Sequence, residues 1–180
     1  FDIVFAEPDR MNPDSVASTL QGLDDATIAR LKTLKSNDQI FADVIKRSRV
    51  VLGQAGRPNE TEGVRGPPVR KSVAVRKLSR QAQDPSVYLR NFPALVRNIP
   101  VIEQAATGKF GGHGIFSVVP GKDGIVRNIP AFFIHDGEYF PALAIEMLRV
   151  ATGRQTVLAQ VNDAGMVGAA ISKNLMVTTD

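Results

Sequence analysis

Phe1-Asp2-Ile3-Val4-Phe5-Ala6 is a short, mostly apolar, β-favouring run. It ends at Glu7-Pro8-Asp9, where proline removes a ladder hydrogen bond, so the pattern predicts a buried strand closed by an acidic turn. Asn12 to Ser15 offers capping groups before Val16, Leu20 and Leu23, and Asp24 or Asp25 caps a second helical stretch bearing Ile28, Leu31 and Leu34. The clearest helix follows a Ser36-Asn37-Asp38 cap, with Ile40, Phe41, Val44 and Ile45 on one face and Asp43, Lys46 and Arg47 on the other. Arg49-Val50-Val51-Leu52-Gly53 then has the pattern of a core strand stopped by glycine. Strand, helix and strand in that order predict a βαβ unit with parallel pairing.

Beyond it, residues 56–83 are rich in Pro, Gly and charge and poor in periodicity, so they read as one long basic loop or excursion. A connector from Pro93 leads into a short helix over 101–106, and Gly111-Gly112-His113-Gly114 forms a flexible approach to a strand through Val119. Pro120 to Gly124 concentrates turn chemistry, so Ile125 to Ile134 is expected to run back antiparallel. His135-Asp136-Gly137 makes the next turn, and Pro141 suits the first turn of a helix reaching Gly153. The tail reads as short strands around Asn162 to Gly165. The sum is an α/β fold with a central mixed sheet, a βαβ N-terminal half, antiparallel hairpins in the C-terminal half and helices packed on the sheet. Residues 1–180 are expected to form a single domain. The opening run lacks an initiator Met and the last residues, Thr178-Thr179-Asp180, lack a cap, as in a piece of a longer protein truncated at both ends.

Composition narrows the chemistry. Of 180 residues, 43% are hydrophobic and 22% charged, enough for a core that buries roughly 70% of the unfolded surface. With no Cys, zinc-thiolate sites, iron-sulfur clusters, cysteine nucleophiles and disulfides are excluded. No run approaches the roughly 20 apolar residues of a membrane-spanning helix. The net charge is +4, and Gly63 to Gln83 holds six basic residues and no acidic one, so the remainder sums to 16 − 18 = −2. That stretch lacks aromatic residues for base stacking, and no nucleic-acid partner is expected.

Phosphate-loop, nucleophile-elbow, H-E-x-x-H and EF-hand patterns are all missing. His113 and His135 are the only imidazoles. His113 with Asp123 offers half of an acid-base dyad or part of a metal site, but a glycine-flanked histidine reads first as a hydrogen-bonded structural residue, so no metal and no cofactor is assigned. Asp2, Glu7 and Asp9 are available for acid-base work, with turn capping as the simpler role. Asp123 and Arg127 are placed to pair across the expected hairpin.

The array from Asp2 to Asp9, then Asn37-Asp38 with Phe41-Ala42 leading through Ile45 to Val50-Val51-Leu52-Gly53, resembles the first half of a type-two CHASE domain. Gly114 with Phe116, Asp123-Gly124-Ile125-Val126-Arg127 with Pro130, and Tyr139 through Pro141-Ala142-Leu143-Ala144 resemble its second half, so matching segments run from Phe1 to Thr152. The resemblance implies an extracytoplasmic sensor of a bacterial receptor, flanked by transmembrane helices and feeding a cyclase or kinase, with a class III adenylate cyclase as the first expectation. Two departures are Gly121, where the family's hairpin often carries another Asp, and the basic stretch Arg65 to Arg80, which has no counterpart. The family supplies no catalytic residues to carry across.

The expected role is therefore noncatalytic: a small-molecule or envelope signal biases two conformations or homodimer arrangements. By the topology of α/β sheets, a pocket beyond the carboxyl ends of the parallel strands would involve Glu7, Asp9 and Gln54. A second ligand cluster is expected at His113, Ser117, Asp123 and Arg127. The alternatives are a fragment of an α/β hydrolytic enzyme using the first-strand carboxylates with His113, and polyanion binding through the basic stretch.

Overall fold

The computed structural model describes residues 2–60, 63, 66–118 and 123–178. Three helices open the chain: α1 (Pro13–Thr19), α2 (Asp25–Lys32) and α3 (Asn37–Arg47). Asp24 caps α2 by accepting from the Thr27 amide, and Ser36 caps α3 by accepting from the Gln39 amide at 3.1 Å. Of the apolar stripe on α3, Phe41, Ala42 and Ile45 turn inward, whereas Ile40 and Val44 remain half exposed. Only the narrow face that meets helix α4 (Pro100–Ala105) and strand β1 (Val50–Arg57) is used.

The α/β class holds, with mixed sheets and helices packed on them, but the strands are arranged differently from the sequence expectation. Residues 2–6 join no ladder. Strand β1 pairs parallel with β5 (Gly111–Ile115) over Val50–Gln54 and antiparallel with β4 (Ala94–Val96) over Ala55–Arg57, and the opening run pairs with neither half. It is held instead through Phe5, whose amide donates to Asn98 Oδ1 at 2.9 Å and whose carbonyl accepts from the Ile99 amide at 2.7 Å. Parallel pairing does occur, but across β1, α4 and β5.

Within the expected 56–83 excursion lies β2 (Val73–Lys77), which pairs parallel with β8 (Val157–Asn162). A 3₁₀ turn at Pro85–Val87 and the short β3 (Arg90–Asn91) follow. The expected hairpin after β5 is replaced too. Pro120 to Lys122 lie outside the described residues, 125–131 form no strand, and β6 (Phe132–His135) pairs parallel with β3 and antiparallel with β7 (Glu138–Pro141). The β6–β7 turn is as expected, with Asp136 and Gly137 at φ 53° and 75°, the left-handed pair that a two-residue hairpin demands. Pro141 ends β7 rather than opening the helix; α5 (Leu143–Ala151) starts after Ala142. Strands β9 (Gly165–Ser172) and β10 (Leu175–Thr178) complete a β10-β9-β8-β2 sheet.

Two cores result. One joins α3, α4 and β1 through Ala42, Ile45, Leu52 and Ile102. The other gathers Phe92, Phe132, Phe133 and Phe140 with Ile145 of α5 and Val157, Ala159 and Ile171 of the last sheet. Each fully buried phenylalanine contributes roughly 2–3 kcal/mol of hydrophobic stabilisation.

Candidate functional site

Alternation along β1 places Leu52 and Gln54 on the side covered by α4. Gln54 is buried and donates from Nε2 to Glu103 Oε1 at 2.8 Å. Arg97, just ahead of α4, donates from Nε to the same oxygen at 2.8 Å and from Nη1 to the Pro67 carbonyl at 3.0 Å. Both ends of this ion pair are nearly buried, at 11% and 9% side-chain exposure, so its strength depends on the extra hydrogen bonds that surround it. Asn98 beside it donates to the Gly53 carbonyl at 3.0 Å while accepting from Phe5.

His113 reaches the same cluster from β5. Its Nε2 donates to the Glu103 carbonyl at 3.0 Å, which leaves Nδ1 as an unprotonated acceptor. Burial pushes its pKa down to about 4; the hydrogen bond to Glu103 opposes that shift, and Arg97, Arg70 and Arg149 add to it. Gln54 Oε1 and His113 Nδ1 are buried without hydrogen-bond partners among the described residues. These two buried acceptors lie behind the Arg97–Glu103 pair, in the interior rather than on a cavity surface.

A cavity of about 500 Å³ opens beside that pair, lined by Ala6, Val69, Leu95, Arg97, Asn98 and Glu103 among others. Its lining comes from residue 6, from 63 and 69, and from residues 95–104 around β4 and the start of α4; Glu7, Asp9 and Gln54 do not line it. Gln54 therefore stands behind the cavity through Glu103, and Ala6 brings the N-terminal segment to its rim.

The other sequence-derived residues lie elsewhere. Asp9 accepts from the Met11 amide and from Asn37 Nδ2, which hold its carboxyl below the usual carboxylate range, while Asn12 caps α3 by accepting from the Asn37 amide. Glu7 faces Arg10 at 3.5 Å on the surface. These are turn and cap contacts, apart from Gln54. Ser117 clips β1, its hydroxyl accepting from the Gly56 amide at 2.6 Å and donating to the Gly56 carbonyl at 3.2 Å. Asp123 and Arg127 pair with each other at 2.7 Å in solvent, four residues apart in one strand-free segment. Arg127 also borders a second cavity of about 640 Å³ with Ile129, Pro130 and Val177. Among the described residues, the printed partner of His113 is the Glu103 carbonyl, while Ser117 bonds Gly56 and Asp123 bonds Arg127.

Arg97, Asn98 and Glu103 were not anticipated. Their signal was present as an Arg-Asn pair immediately before an Ile-Pro helix start, with an acidic residue on its first turn. A second buried ion pair, Glu146 with Arg149, was also missed. Arg149 donates from Nε and Nη2 to the Glu146 carboxylate at 2.8 and 2.7 Å, from Nη2 to the Gly111 carbonyl at 2.8 Å and from Nη1 to the Arg154 carbonyl at 2.6 Å. Ser72 donates to Glu146 Oε2 at 3.1 Å. This network ties α5 to β5 and to the start of β2, and its role is structural.

Among the described residues, no group of three or more His, Cys, Asp or Glu side chains is placed to hold a metal, and no helix is long and apolar enough to cross a membrane. A family model for the CHASE2 domain matches residues 1–179. No curated protein and no solved structure matches the chain. CHASE2 domains are extracellular sensory domains of signalling receptors and not catalytic ones.

Proposed function

The chain belongs to the CHASE2 domain family, and on that premise we propose that it is the periplasmic signal-input domain of a bacterial inner-membrane receptor whose cytoplasmic output is a class III adenylate cyclase. The input is a small polar molecule seated in the cavity at Arg97 and Asn98. In this reading Arg97 Nη2 is the donor to the ligand, because Nε and Nη1 serve Glu103 and Pro67 and Arg97 lines the cavity. Val69 and Leu95 supply apolar surface beside that contact.

The observation that carries the reading is the pair of hydrogen bonds between Phe5 and the cavity wall at Asn98 and Ile99. They join the N-terminal segment, which in the receptor would follow a transmembrane helix, to the residues that contact the ligand. A ligand that binds better when Asn98 holds Phe5 than when it does not shifts the position of that segment by its differential affinity. The α3–α4 core carries the same displacement, because Phe5 and Phe41 meet edge to face with ring centroids 5.1 Å apart.

The test is cyclic AMP synthesis by the parent receptor in membranes. The Phe5→Pro variant removes the amide that donates to Asn98, and Arg97→Gln removes the ligand's donor. Each is expected to change basal or stimulated output at least threefold while the domain stays folded. Output indifferent to both, or a parent gene that encodes a continuous soluble protein without flanking segments of about 20 apolar residues, overturns the reading.

A further inference from the structure

The β10-β9-β8-β2 sheet packs only one face on the core. Val157, Ala159, Val161, Ala169 and Ile171 are buried, and alternation puts Leu158, Gln160 and Ala170 on the opposite face. The register extends that outer face across the sheet, with Ala74 beside Leu158, Leu158 beside Ala170, and Ala170 beside Met176. Arg76 lies one rung along, opposite Gln160. A concavity of about 430 Å³ sits on this face.

Its floor is the apolar surface of Leu158, Ala170 and Met176, and its rim carries Arg76, Arg154 and Lys173. No carboxylate lines it. All three cations are exposed, and none takes part in an ion pair among the described residues. The three come from separate parts of the chain, one in β2, one in the loop after α5 and one in the β9–β10 turn. Their convergence is a product of the fold, whereas the basic stretch contributes only Arg76.

Arg154 is also fixed in place. Its amide donates to the Arg149 carbonyl at 3.0 Å, and its carbonyl accepts from Arg149 Nη1 at 2.6 Å, so the buried Glu146–Arg149 pair holds the backbone that presents this guanidinium. Three like charges around a small apolar floor repel one another until an anion neutralises them. Guanidinium forks match the oxygens of a phosphate or carboxylate bidentately, and a tetrahedral dianion carries enough acceptor oxygens for more than one such group. The apolar floor adds a second requirement that a bare ion does not meet.

We propose that this sheet face is a binding site for a small phosphate monoester with an apolar body, the dianion held by Arg76, Arg154 and Lys173 and the body laid on Leu158, Ala170 and Met176. It is separate from the cavity at Arg97, and its test does not depend on the receptor reading. A volume of about 430 Å³ is that of a small-molecule site rather than of a nucleic-acid groove.

Calorimetric titration of the folded domain with phenyl phosphate, inorganic phosphate and phenol separates the two requirements. Phenyl phosphate is expected to bind at least tenfold more tightly than either fragment, with affinity falling as salt rises. Arg76→Gln, Arg154→Gln and Lys173→Gln, all at exposed positions and checked for native circular dichroism, are each expected to weaken binding about fivefold or more. Leu158→Gln should weaken phenyl phosphate but leave inorganic phosphate unchanged. Absence of saturable binding, binding untouched by the three neutralising variants, or capture by phosphatidylglycerol vesicles without binding of phenyl phosphate overturns the proposal; the last outcome would assign the face to a lipid surface.

Discussion

Gly112 of β5 and Glu146 of α5 meet so closely that a methyl group on Gly112 would overlap the Glu146 carboxylate and press on Arg149 Nη2 at 2.9 Å. Two residues on, the same addition at Gly114 would stand 2.6 Å from the Leu143 Cα. The glycines around His113 are therefore not a flexible approach to a strand. They are one face of a strand on which a helix lies almost in backbone contact, and His113 faces the other way, toward α4.

Gly112→Ala is expected to destabilise the domain by about 2–3 kcal/mol, because the carboxylate must leave its bonds to Arg149 and Ser72 to admit the methyl group. Gly108→Ala, where the added methyl meets nothing within 4 Å, serves as the control and should change little. Urea denaturation of both variants checks the contrast.

The Glu146–Arg149 pair is fully buried, at 1% and 0% side-chain exposure, so removing one partner strands a charge. Arg149→Met alone should cost about 3–5 kcal/mol. The double variant Arg149→Met with Glu146→Leu is expected to be more stable than Arg149→Met alone. A double-mutant cycle by chemical denaturation measures the coupling.

Acidification acts through His113. Its folded pKa of about 4 lies below the ordinary 6.5, so between those values the unfolded chain binds a proton that the folded one refuses. The contribution of His113 is therefore undiminished above pH 6.5, is lost as the pH drops toward about 4, and changes no further below it. The full loss amounts to about 3 kcal/mol. His113→Gln, which keeps a donor for the Glu103 carbonyl, should flatten this part of the stability profile, as read by denaturation midpoints between pH 4 and 7.

Asp123 and Arg127 hold each other in solvent, 49% and 60% exposed; the Arg127 guanidinium and then the Ile125 amide hold the Asp123 carboxyl below its ordinary range, while Asp123 raises Arg127. Asp123→Ala should leave the thermal midpoint unchanged within error. Chloride titration should show the pair weakening with salt in the native state, followed by the nuclear magnetic resonance shift of the Arg127 side chain.

What the chain's own pattern carries is local. The caps at Asp24 and Ser36, the β6–β7 turn at Asp136-Gly137, the helix through Ile45 and the terminal strands follow from chemistry within a few residues, and all are present. The absence of Cys and the resemblance to a CHASE domain were equally legible. Pairing partners were not, because a strand's periodicity says which face is buried but not which edge it meets. Residues 2–6 have a strand's composition yet join no ladder; they are held instead by the Phe5 bonds to Asn98 and Ile99. Val73 to Lys77, inside a segment that reads as loop, is a strand because β8 offers it an edge.

The candidate sites divide in the same way. The rule that α/β pockets open beyond strand ends named Gln54, which is buried behind Glu103 and does not line the cavity at Arg97, whereas Arg97, Asn98 and Glu103 came together only when α4 folded across β1. Arg76, Arg154 and Lys173 are 78 and 19 residues apart in sequence, and nothing in their neighbours joins them; the β10-β9-β8-β2 sheet does. Local preference acts over one or two turns of chain, whereas a site needs groups from distant segments held at hydrogen-bond range. That convergence is a property of the packed structure, which decides where buried charges find partners and where exposed ones are left without.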